Sequence, residues 1–353
     1  MTTTERTNLY TLSQEGLREL LTEWGEPPYR ARQLWAWLYD KRVASFKAMT
    51  NLPDKLRARL EAEALLGRME QTAEQTSKDG TVKRLYRLHD GQLIEAVLMM
   101  YDDQRRTACI STQAGCALGC VFCATGQMGF ARQLTADEIF EQAMIFARDL
   151  EAVGDRLSNV VLMGMGEPFH NYDASLHAIR RLMSDLGIGA RHITVSTVGL
   201  VPEIRQFAEE GLQVKLAISL HAASDEERSA LLPVNKRWPL NKLIDACRYY
   251  VEKTGRRITF EWALIAGEND TPEQAHKLGA LLEGLLCHVN LIPLNLTAGY
   301  TGQPSKIAFA FIETLMNYGV SATVRVRRGI DIDAGCGQLK AAVITPLEGT
   351  EGS

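Results

Sequence analysis

The sequence lacks any long hydrophobic run: no apolar stretch of its 353 residues approaches the roughly 20 residues that span a bilayer. Its first residues, MTTTERTNLYTLSQ, lack the basic and then apolar pattern of a secretion signal. Low-complexity tracts and fixed-period repeats are also missing from the sequence. We therefore expect a cytoplasmic protein with no membrane partner.

A strong charge of either sign is the second absence, since the formal net charge is −4. A polyanion must therefore be held by a local basic surface rather than by the field of the whole molecule. This balance neither indicates nor excludes nucleic acid as a partner. The composition is 46% apolar, which is enough for a substantial core in one large domain or two ordinary ones.

The N-terminal part of the sequence predicts helices followed by a hairpin. Apolar residues at helical spacing occur at Leu17, Leu20, Leu21 and Trp24. Ser13 is placed to cap this helix and Gly25 to end it. Further on, two β-rich runs flank the Asp-Gly pair of HDGQ, which is a hairpin signal. We assign residues 1–75 to a small helical accessory domain and residues 76–104 to a β-hairpin connection.

From about residue 107, short β-branched runs alternate with amphipathic segments of helix length. Such alternation predicts an α/β fold in which a parallel sheet is joined by right-handed crossovers. About six units favour a partial (β/α)6 barrel over a doubly wound sheet. We assign this barrel to residues 105–346 and a flexible tail to residues 347–353. Functional residues of such a barrel gather on loops at the carboxyl ends of the strands.

Three cysteines, Cys116, Cys120 and Cys123, follow the first of these runs, and no fourth cysteine lies nearby. A structural zinc site usually has four protein ligands, whereas this spacing fits three irons of a [4Fe–4S] cluster. The fourth iron would then stay open for an exogenous ligand. Buried, unrelated cysteines and a zinc ion completed by a distant side chain are the alternatives. A disulfide framework is not indicated, because disulfides are rare in a reducing compartment.

Other candidate residues follow the next strands, so we expect them to meet on one rim of the barrel. They are Gly166 and Glu167 in GMGEP, then Ser196, Ser219, His221 and Asn295. The glycines of GMGEP would let the backbone approach a ligand, and Glu167 would accept a hydrogen bond from a ligand ammonium. A simple strand-ending turn is the alternative for this motif, and ordinary strand-end polar residues are the alternative for the others.

The remaining cysteines differ in their surroundings. Cys336 lies between glycines in GIDIDAGCGQL, and flexible, small-residue surroundings suit a thiol that something large must reach. An inert buried cysteine is the alternative. Cys109, on the first strand, fits core packing as well as it fits function. Cys247 and Cys287 lie among apolar residues of helical segments, and we assign both to the core.

In this order, the motifs C-x3-C-x2-C, GMGEP, ISLHA and DAGCGQL resemble those of the radical S-adenosylmethionine (SAM) RNA adenine-C2 methyltransferases of the RlmN/Cfr family. The resemblance begins in the helical part, at PPYRARQLWAWLY, and covers nearly the whole chain. It implies a radical SAM barrel in which Cys116, Cys120 and Cys123 hold a [4Fe–4S] cluster whose open iron takes SAM. Positions that match SAM contacts of the family are Gly166, Glu167, Ser196, Ser219, Leu220, His221 and Asn295.

The resemblance also implies a reaction that consumes two SAM molecules per turnover. The first would methylate Cys336, and a radical derived from the second would activate that methyl group for addition to C2 of adenine. Cys109 would then release the methylated RNA by forming a disulfide with Cys336, and Glu95 would accept the C2 proton. The Glu95 assignment depends on aligning a variable hairpin.

The substrates implied by the resemblance are one adenosine of 23S ribosomal RNA and the adenosine 3′ of the anticodon in some transfer RNAs. We expect a monomer that receives electrons from an external flavodoxin- or ferredoxin-like donor. Candidates for phosphate contacts, each equally consistent with solvated surface, are Arg30, Arg32, Lys41, Arg42, Arg325, Arg327 and Arg328. A C8-methylating relative and a non-catalytic, zinc-stabilised RNA-binding protein are the alternative functions.

Overall fold

The structure, a computed structural model, describes residues 6–341. The predicted tail at 347–353 and the last residues of the predicted barrel segment therefore lie outside the described residues. The strands are β1 (Thr7–Asn8), β2 (Ala64–Leu65), β3 (Glu70–Thr76), β4 (Val82–Arg87), β5 (Leu93–Met100), β6 (Arg106–Cys109), β7 (Gln113–Gly115), β8 (Phe130–Gln133), β9 (Asn159–Leu162), β10 (Ile193–Thr197), β11 (Lys215–Ser219), β12 (Ile258–Leu264), β13 (Cys287–Pro293) and β14 (Ser321–Val324). The helices are α1 (Gln14–Glu23), α2 (Tyr29–Trp35), α3 (Asp54–Glu63), α4 (Ala124–Gln127), α5 (Ala136–Ala152), α6 (Tyr172–Ser184), α7 (Val201–Glu209), α8 (Asp225–Leu231), α9 (Leu240–Thr254), α10 (Pro272–Leu282) and α11 (Ala308–Met316).

Helices α1 to α3 form a small module whose first helix begins and ends as the sequence predicts. The Ser13 hydroxyl accepts a hydrogen bond from the Gly16 N–H, and Gly25 follows the helix with a φ of 77°. After α2 the helix widens into one π turn, Ala36–Asp40. The helical part of the predicted 1–75 segment ends at Glu63, because the chain is already extended in β2 and β3.

One ten-stranded sheet organises the rest of the chain, in the order β14-β13-β12-β11-β10-β9-β6-β5-β4-β3. Strand β6 and strands β9 to β14 are parallel, as the alternation of strands and helices predicts. Strands β3 to β6 are antiparallel, so the predicted hairpin, β4 and β5, extends the barrel sheet directly. The amphipathic helices between the parallel strands cover this sheet and bury its apolar residues.

The helical module is attached to the barrel by a buried arginine of α6. The Arg181 guanidinium donates to the Tyr10 carbonyl at 2.7 Å and to the Tyr39 hydroxyl at 2.9 Å, both in the module. It also pairs with Asp137 at 2.7 Å and with Asp185 at 2.9 Å, which balance its charge. Module and barrel share one apolar core, so the module has a fixed position relative to the sheet.

Every parallel strand ends at the same rim of the sheet, and the loops that follow the strands carry the predicted site residues. No helix of the described part of the chain is long and apolar enough to cross a membrane.

Candidate cofactor and thiol site

A cavity at this rim, called here the large cavity, encloses about 990 Å³ including its open mouth. Its wall contains ten of the residues predicted from sequence: Cys116, Cys120, Cys123, Gly166, Glu167, Ser196, Ser219, His221, Asn295 and Cys336. These residues lie at the carboxyl ends of six different strands or in the loops that follow them. The parallel sheet therefore gathers residues that lie far apart in the sequence around one volume.

The loop with the three clustered cysteines is closed at its base by a short antiparallel ribbon. Strands β7 and β8 pair there, and the Cys116 N–H donates to the Gly129 carbonyl at 2.8 Å. Gly115 has a φ of 77°, and a Cβ at this position would lie 2.0 Å from the Gly129 oxygen. Only glycine fits there. The ribbon therefore holds the cysteine loop as a compact hairpin over the rim.

Burial raises the pKa of all three clustered thiols, and that of Cys116 reaches about 12. For Cys120, the nearby Cys123 and Cys116 raise the pKa further. Three close thiols with raised pKa values fit a cationic metal centre, which would neutralise them as thiolates. Within residues 6–341, no three His, Cys, Asp or Glu side chains converge on the position of a single metal ion. In a cubane, by contrast, each cysteine binds a different iron.

The glycines of GMGEP are required by protein contacts rather than by a ligand alone. A Cβ on Gly166, whose φ is 99°, would lie 2.5 Å from the Gln113 Cβ. A Cβ on Gly164 would lie 2.7 Å from the Ile110 carbonyl carbon. Both contacts join the end of β9 to the segment that follows β6. The close backbone approach expected from the motif thus occurs first between two neighbouring strand ends.

Two buried ionisable side chains of the wall are held by backbone hydrogen bonds. Glu167 accepts from the Val198 N–H at 2.8 Å and from the Phe169 N–H at 3.0 Å, while burial raises its pKa to about 7. His221 accepts the Ala263 N–H on Nδ1 at 2.9 Å, and burial lowers its pKa to about 3. The imidazole is therefore neutral and carries its hydrogen on Nε2.

Two buried oxygen atoms of the wall have no hydrogen-bond donor among the described residues. They are Oδ1 of Asn295 and Oε2 of Glu261. A buried acceptor left without a donor costs free energy, about 1–3 kcal/mol for a neutral group. Such acceptors fit a ligand that carries amino and hydroxyl donors, as SAM does. The wall of the large cavity therefore fits both groups that the resemblance implies, a [4Fe–4S] cluster held at three of its irons and SAM.

A second, small cavity adjoins the large one and contains both remaining thiols of interest. Cys109 and Cys336 line it together with Met99, Met163 and Arg325, and Cys336 lines both cavities. Neither cysteine is in a disulfide. Burial raises the pKa of Cys109 to about 12, the nearby Cys336 raises it further, and the Arg325 guanidinium opposes this rise.

The segment around Cys336 is more constrained than its glycines suggest. The Asn295 amide donates to the Cys336 carbonyl at 3.1 Å, and the Ala124 N–H donates to the Gly337 carbonyl at 2.7 Å. A Cβ on Gly335 would lie 2.6 Å from the Asn295 amide nitrogen. These glycines permit close packing, so the flexible surroundings expected from the sequence are replaced by a tied loop.

Two predicted site residues are not in the wall of either cavity. Glu95 pairs with the buried Lys83 at 3.5 Å and accepts the Lys340 N–H at 2.8 Å. The Leu220 side chain is buried, and its backbone N–H donates to the Glu261 carbonyl at 3.0 Å. Cys247 and Cys287 are buried in the apolar core as predicted, although Cys287 lies on a strand rather than a helix.

Sequence reasoning missed Arg228 and Glu261. Arg228 is fully buried and donates to the carbonyls of Val198, Ser219 and Leu220, and to the Asn235 amide oxygen. It thereby ties together the ends of β10 and β11, where Ser196, Ser219 and His221 lie. Arg325, one of the candidates for phosphate contact, lies in the walls of both cavities at 3.9 Å from Glu261. For Glu261 the sequence did contain a signal: it is a charged residue inside the apolar strand FEWAL, and a buried charge needs a partner or a ligand.

Two family models match the chain. The ribosomal RNA large subunit methyltransferase N-terminal domain matches residues 7–66, and the radical SAM superfamily matches residues 110–278. Dual-specificity RNA methyltransferase RlmN 1 of Myxococcus xanthus is 54% identical over 95% of both chains. Probable dual-specificity RNA methyltransferase RlmN of Bacillus subtilis is 46% identical over 96% of this chain and 94% of its own.

A solved structure has the same fold over nearly the whole chain. The crystal structure of a radical SAM methyltransferase from Sphaerobacter thermophilus superposes with a TM-score of 0.90 and 49% sequence identity. The match covers 95% of this chain and all of the other. The predicted radical SAM fold is thus confirmed, and the chain belongs to the RlmN family of radical SAM RNA methyltransferases.

Proposed function

We propose that the protein methylates C2 of one adenosine in 23S ribosomal RNA and of the adenosine 3′ of the anticodon in some transfer RNAs. The observation that carries this proposal is the position of Cys336 in the wall shared by both cavities. Cys336 lines the cavity that fits the cofactors and also the cavity that contains Cys109. A thiol that first accepts a methyl group and later forms a disulfide needs both neighbours.

In this proposal the large cavity binds and orients the cofactors. Cys116, Cys120 and Cys123 would hold a [4Fe–4S] cluster, which together with SAM supplies one-electron cleavage to a carbon radical. The neutral His221 ring offers an Nε2–H donor, while Asn295 and Glu261 offer the unpaired acceptors. Gly166, Glu167, Ser196 and Ser219 complete the wall around SAM. Leu220 would support SAM only indirectly, because it lies behind the wall.

The small cavity would carry out the thiol chemistry. Cys336 takes a methyl group from the first of two SAM molecules and transfers it, after activation, to C2 of the adenine. The adduct between Cys336 and the RNA would lose one electron and the C2 proton. The Cys109 thiolate would then attack the Cys336 sulfur, and the sulfur–carbon bond would break with its electron pair on the carbon attached to C2. That carbon would take up a proton to become the methyl group, and a disulfide would form between the two cysteines. Arg325, a cation beside both thiols, stabilises the negative charge that each thiol must carry when it reacts.

Release of the C2 proton needs an acceptor, and Glu95 is the proposed one. Its carboxylate is held by Lys83 and by the Lys340 and Ala341 N–H groups, so this role requires the segment at 340–341 to move aside. We further propose a cytoplasmic monomer that receives electrons from a flavodoxin- or ferredoxin-like donor. Residues 1–75 would act as an accessory domain and residues 76–104 as a connection to the barrel.

The test uses the anaerobically purified, cluster-loaded protein with SAM, reductant and either RNA. We expect 5′-deoxyadenosine and 2-methyladenosine, identified by mass spectrometry after digestion of the RNA. The appearance of 8-methyladenosine instead would overturn the C2 assignment. Stoichiometric zinc without sulfide in the freshly isolated protein would overturn the radical chemistry altogether.

A further inference from the structure

The helical module has an open groove beside α2 that is separate from both cavities. Its wall consists of Tyr29, Arg32, Gln33, Ala36, Trp37, Lys41 and Asn51, and none of these residues is acidic. The π turn at Ala36–Asp40 forms one side of this groove, and such turns in helices are frequent at functional sites.

The two cations of the groove differ from most other cations of the module. A carboxylate lies within ion-pair distance of six of those others: Arg18, Arg30, Arg42, Lys47, Arg57 and Arg59. Arg32 and Lys41 are exposed and have no carboxylate partner among the described residues. The Lys41 ammonium lies 3.7 Å from the centre of the Trp37 ring, which fixes its position over the groove. The groove therefore presents two positive charges that no acidic side chain of the described residues neutralises.

The remaining groups of the groove suit a nucleobase. The Tyr29 ring is 46% exposed and is braced by the Arg30 guanidinium at 4.9 Å. Gln33 accepts from Arg30 at 2.7 Å, and Asn51 accepts from the Trp37 indole N–H at 2.5 Å, both through their amide oxygens. Their amide N–H groups have no partner among residues 6–341, so they remain free to donate to a base edge.

We propose that this groove binds one unstacked nucleotide of the RNA substrate, outside the nucleotide that is methylated. The base stacks on Tyr29, Gln33 and Asn51 donate to its edge, and Arg32 and Lys41 contact the flanking phosphates. Because Arg181 fixes the module on the barrel, the groove holds the RNA at a constant distance from the cavities. The inference rests on the proposed function only in taking RNA as the substrate.

The experiment measures dissociation constants of the cluster-loaded, full-length protein for fluorescently labelled transfer RNA and for a 23S ribosomal RNA fragment. Tyr29→Ala should weaken binding about tenfold, the order of magnitude of one lost base–aromatic stack, whereas Tyr29→Phe should retain it. The double variant Arg32→Ala/Lys41→Ala should weaken binding and lower the slope of log K against log salt concentration by about 1 to 2. Lys55→Ala, which removes an exposed cation of the same module outside the groove, should change neither quantity beyond the scatter of wild type.

Each outcome separates this inference from the proposed function. Photocrosslinking of 4-thiouridine-labelled RNA to the peptide containing Tyr29 and Lys41 would support the groove, even if the wild-type protein failed to methylate. Unchanged RNA affinity and salt slope in both groove variants, with wild-type methylation intact, would overturn the groove alone. Unchanged RNA affinity and salt slope would also be the outcome if the groove bound a protein partner instead of RNA. Formation of 5′-deoxyadenosine by the groove variants without RNA should equal that of wild type, which shows that the cavities are undamaged.

Discussion

The two cavities that meet at Cys336 have walls of different chemical character. The large cavity contains buried oxygen atoms without hydrogen-bond donors and three close thiols with raised pKa values. Its wall therefore fits a ligand with polar donors and a cationic metal centre. The small cavity is lined by apolar side chains such as Met99 and Leu339 and by three arginines, Arg325, Arg327 and Arg328, and the Arg325 guanidinium lowers the pKa of Cys109. This difference agrees with the proposed function, in which the large cavity binds the cofactors and the small cavity controls the reactivity of the Cys109 and Cys336 thiols.

The strongest test of this comparison removes a thiol of the large cavity. Cys120→Ala should abolish the cluster and with it all formation of 5′-deoxyadenosine, because two remaining thiolates cannot hold three irons. The measurements are iron and sulfide content and chromatography of 5′-deoxyadenosine. Cys287→Ala, which removes a thiol of the core, should keep wild-type values of all three. Cluster-dependent 5′-deoxyadenosine from Cys120→Ala would remove this cysteine from the ligand set.

The next test removes the thiol found only in the small cavity. Cys109→Ala should leave cofactor binding intact but stop turnover after one event, with RNA attached covalently to Cys336. Gel electrophoresis under denaturing conditions detects this adduct as a protein band of raised mass that ribonuclease removes. Cys336→Ala should give neither adduct nor product. Free methylated RNA from Cys109→Ala at the wild-type yield would contradict the release step.

Arg325 distinguishes charge from packing in the small cavity. Arg325→Met keeps the approximate size of the side chain but removes the cation that lowers the pKa of Cys109, so thiolate formation at Cys109 becomes less favourable. Release of RNA from a preformed adduct should slow about ten- to a hundredfold, followed in single-turnover experiments. Arg325→Lys should recover part of the rate because it restores the charge. Equal release rates in wild type and Arg325→Met would show that the cation has no role in this step.

The last test of the small cavity is the pH dependence of the same release step. Burial raises the pKa of Cys109 to about 12, so the thiol is protonated at neutral pH. The thiolate fraction, and with it the release rate, should rise about tenfold per pH unit between about pH 7 and 9. A rate that reaches a plateau below pH 9 would indicate that Cys109 ionises more easily than its burial suggests.

The features that were best predicted from the sequence are those that recur along the chain or that depend on a few neighbouring residues. The strand and helix alternation, the Ser13 cap and the hairpin at Asp90–Gly91 follow from local chemistry and agree with the structure. Strand β3 was missed because EQTAEQT is polar and forms the exposed edge of the sheet, where packing selects few apolar residues. Its pairing with β4 decides its conformation.

The site divides in the same way. Rim residues were predictable because each follows a strand, whereas Arg228 lies on a helix and reaches the rim only through its long side chain. The surroundings of Arg325 were not predictable for a similar reason, since an arginine near a basic run is indistinguishable from a surface residue until the neighbouring strand places Glu261 beside it.

The loop of Cys336 is fastened to the opposite end of the sheet, where the Ser77 hydroxyl donates to Asp331 at 2.5 Å and the Gly329 N–H donates to Asp79 at 2.9 Å. Ser77 and Asp331 are 254 residues apart in sequence, so this contact closes a very long loop and is expected to form late in folding. A molecule whose barrel is complete but in which these two hydrogen bonds have not formed would have the other groups of the large cavity in place without a correctly placed Cys336. Such a molecule would lack the thiol on which the proposed methyl transfer to RNA depends.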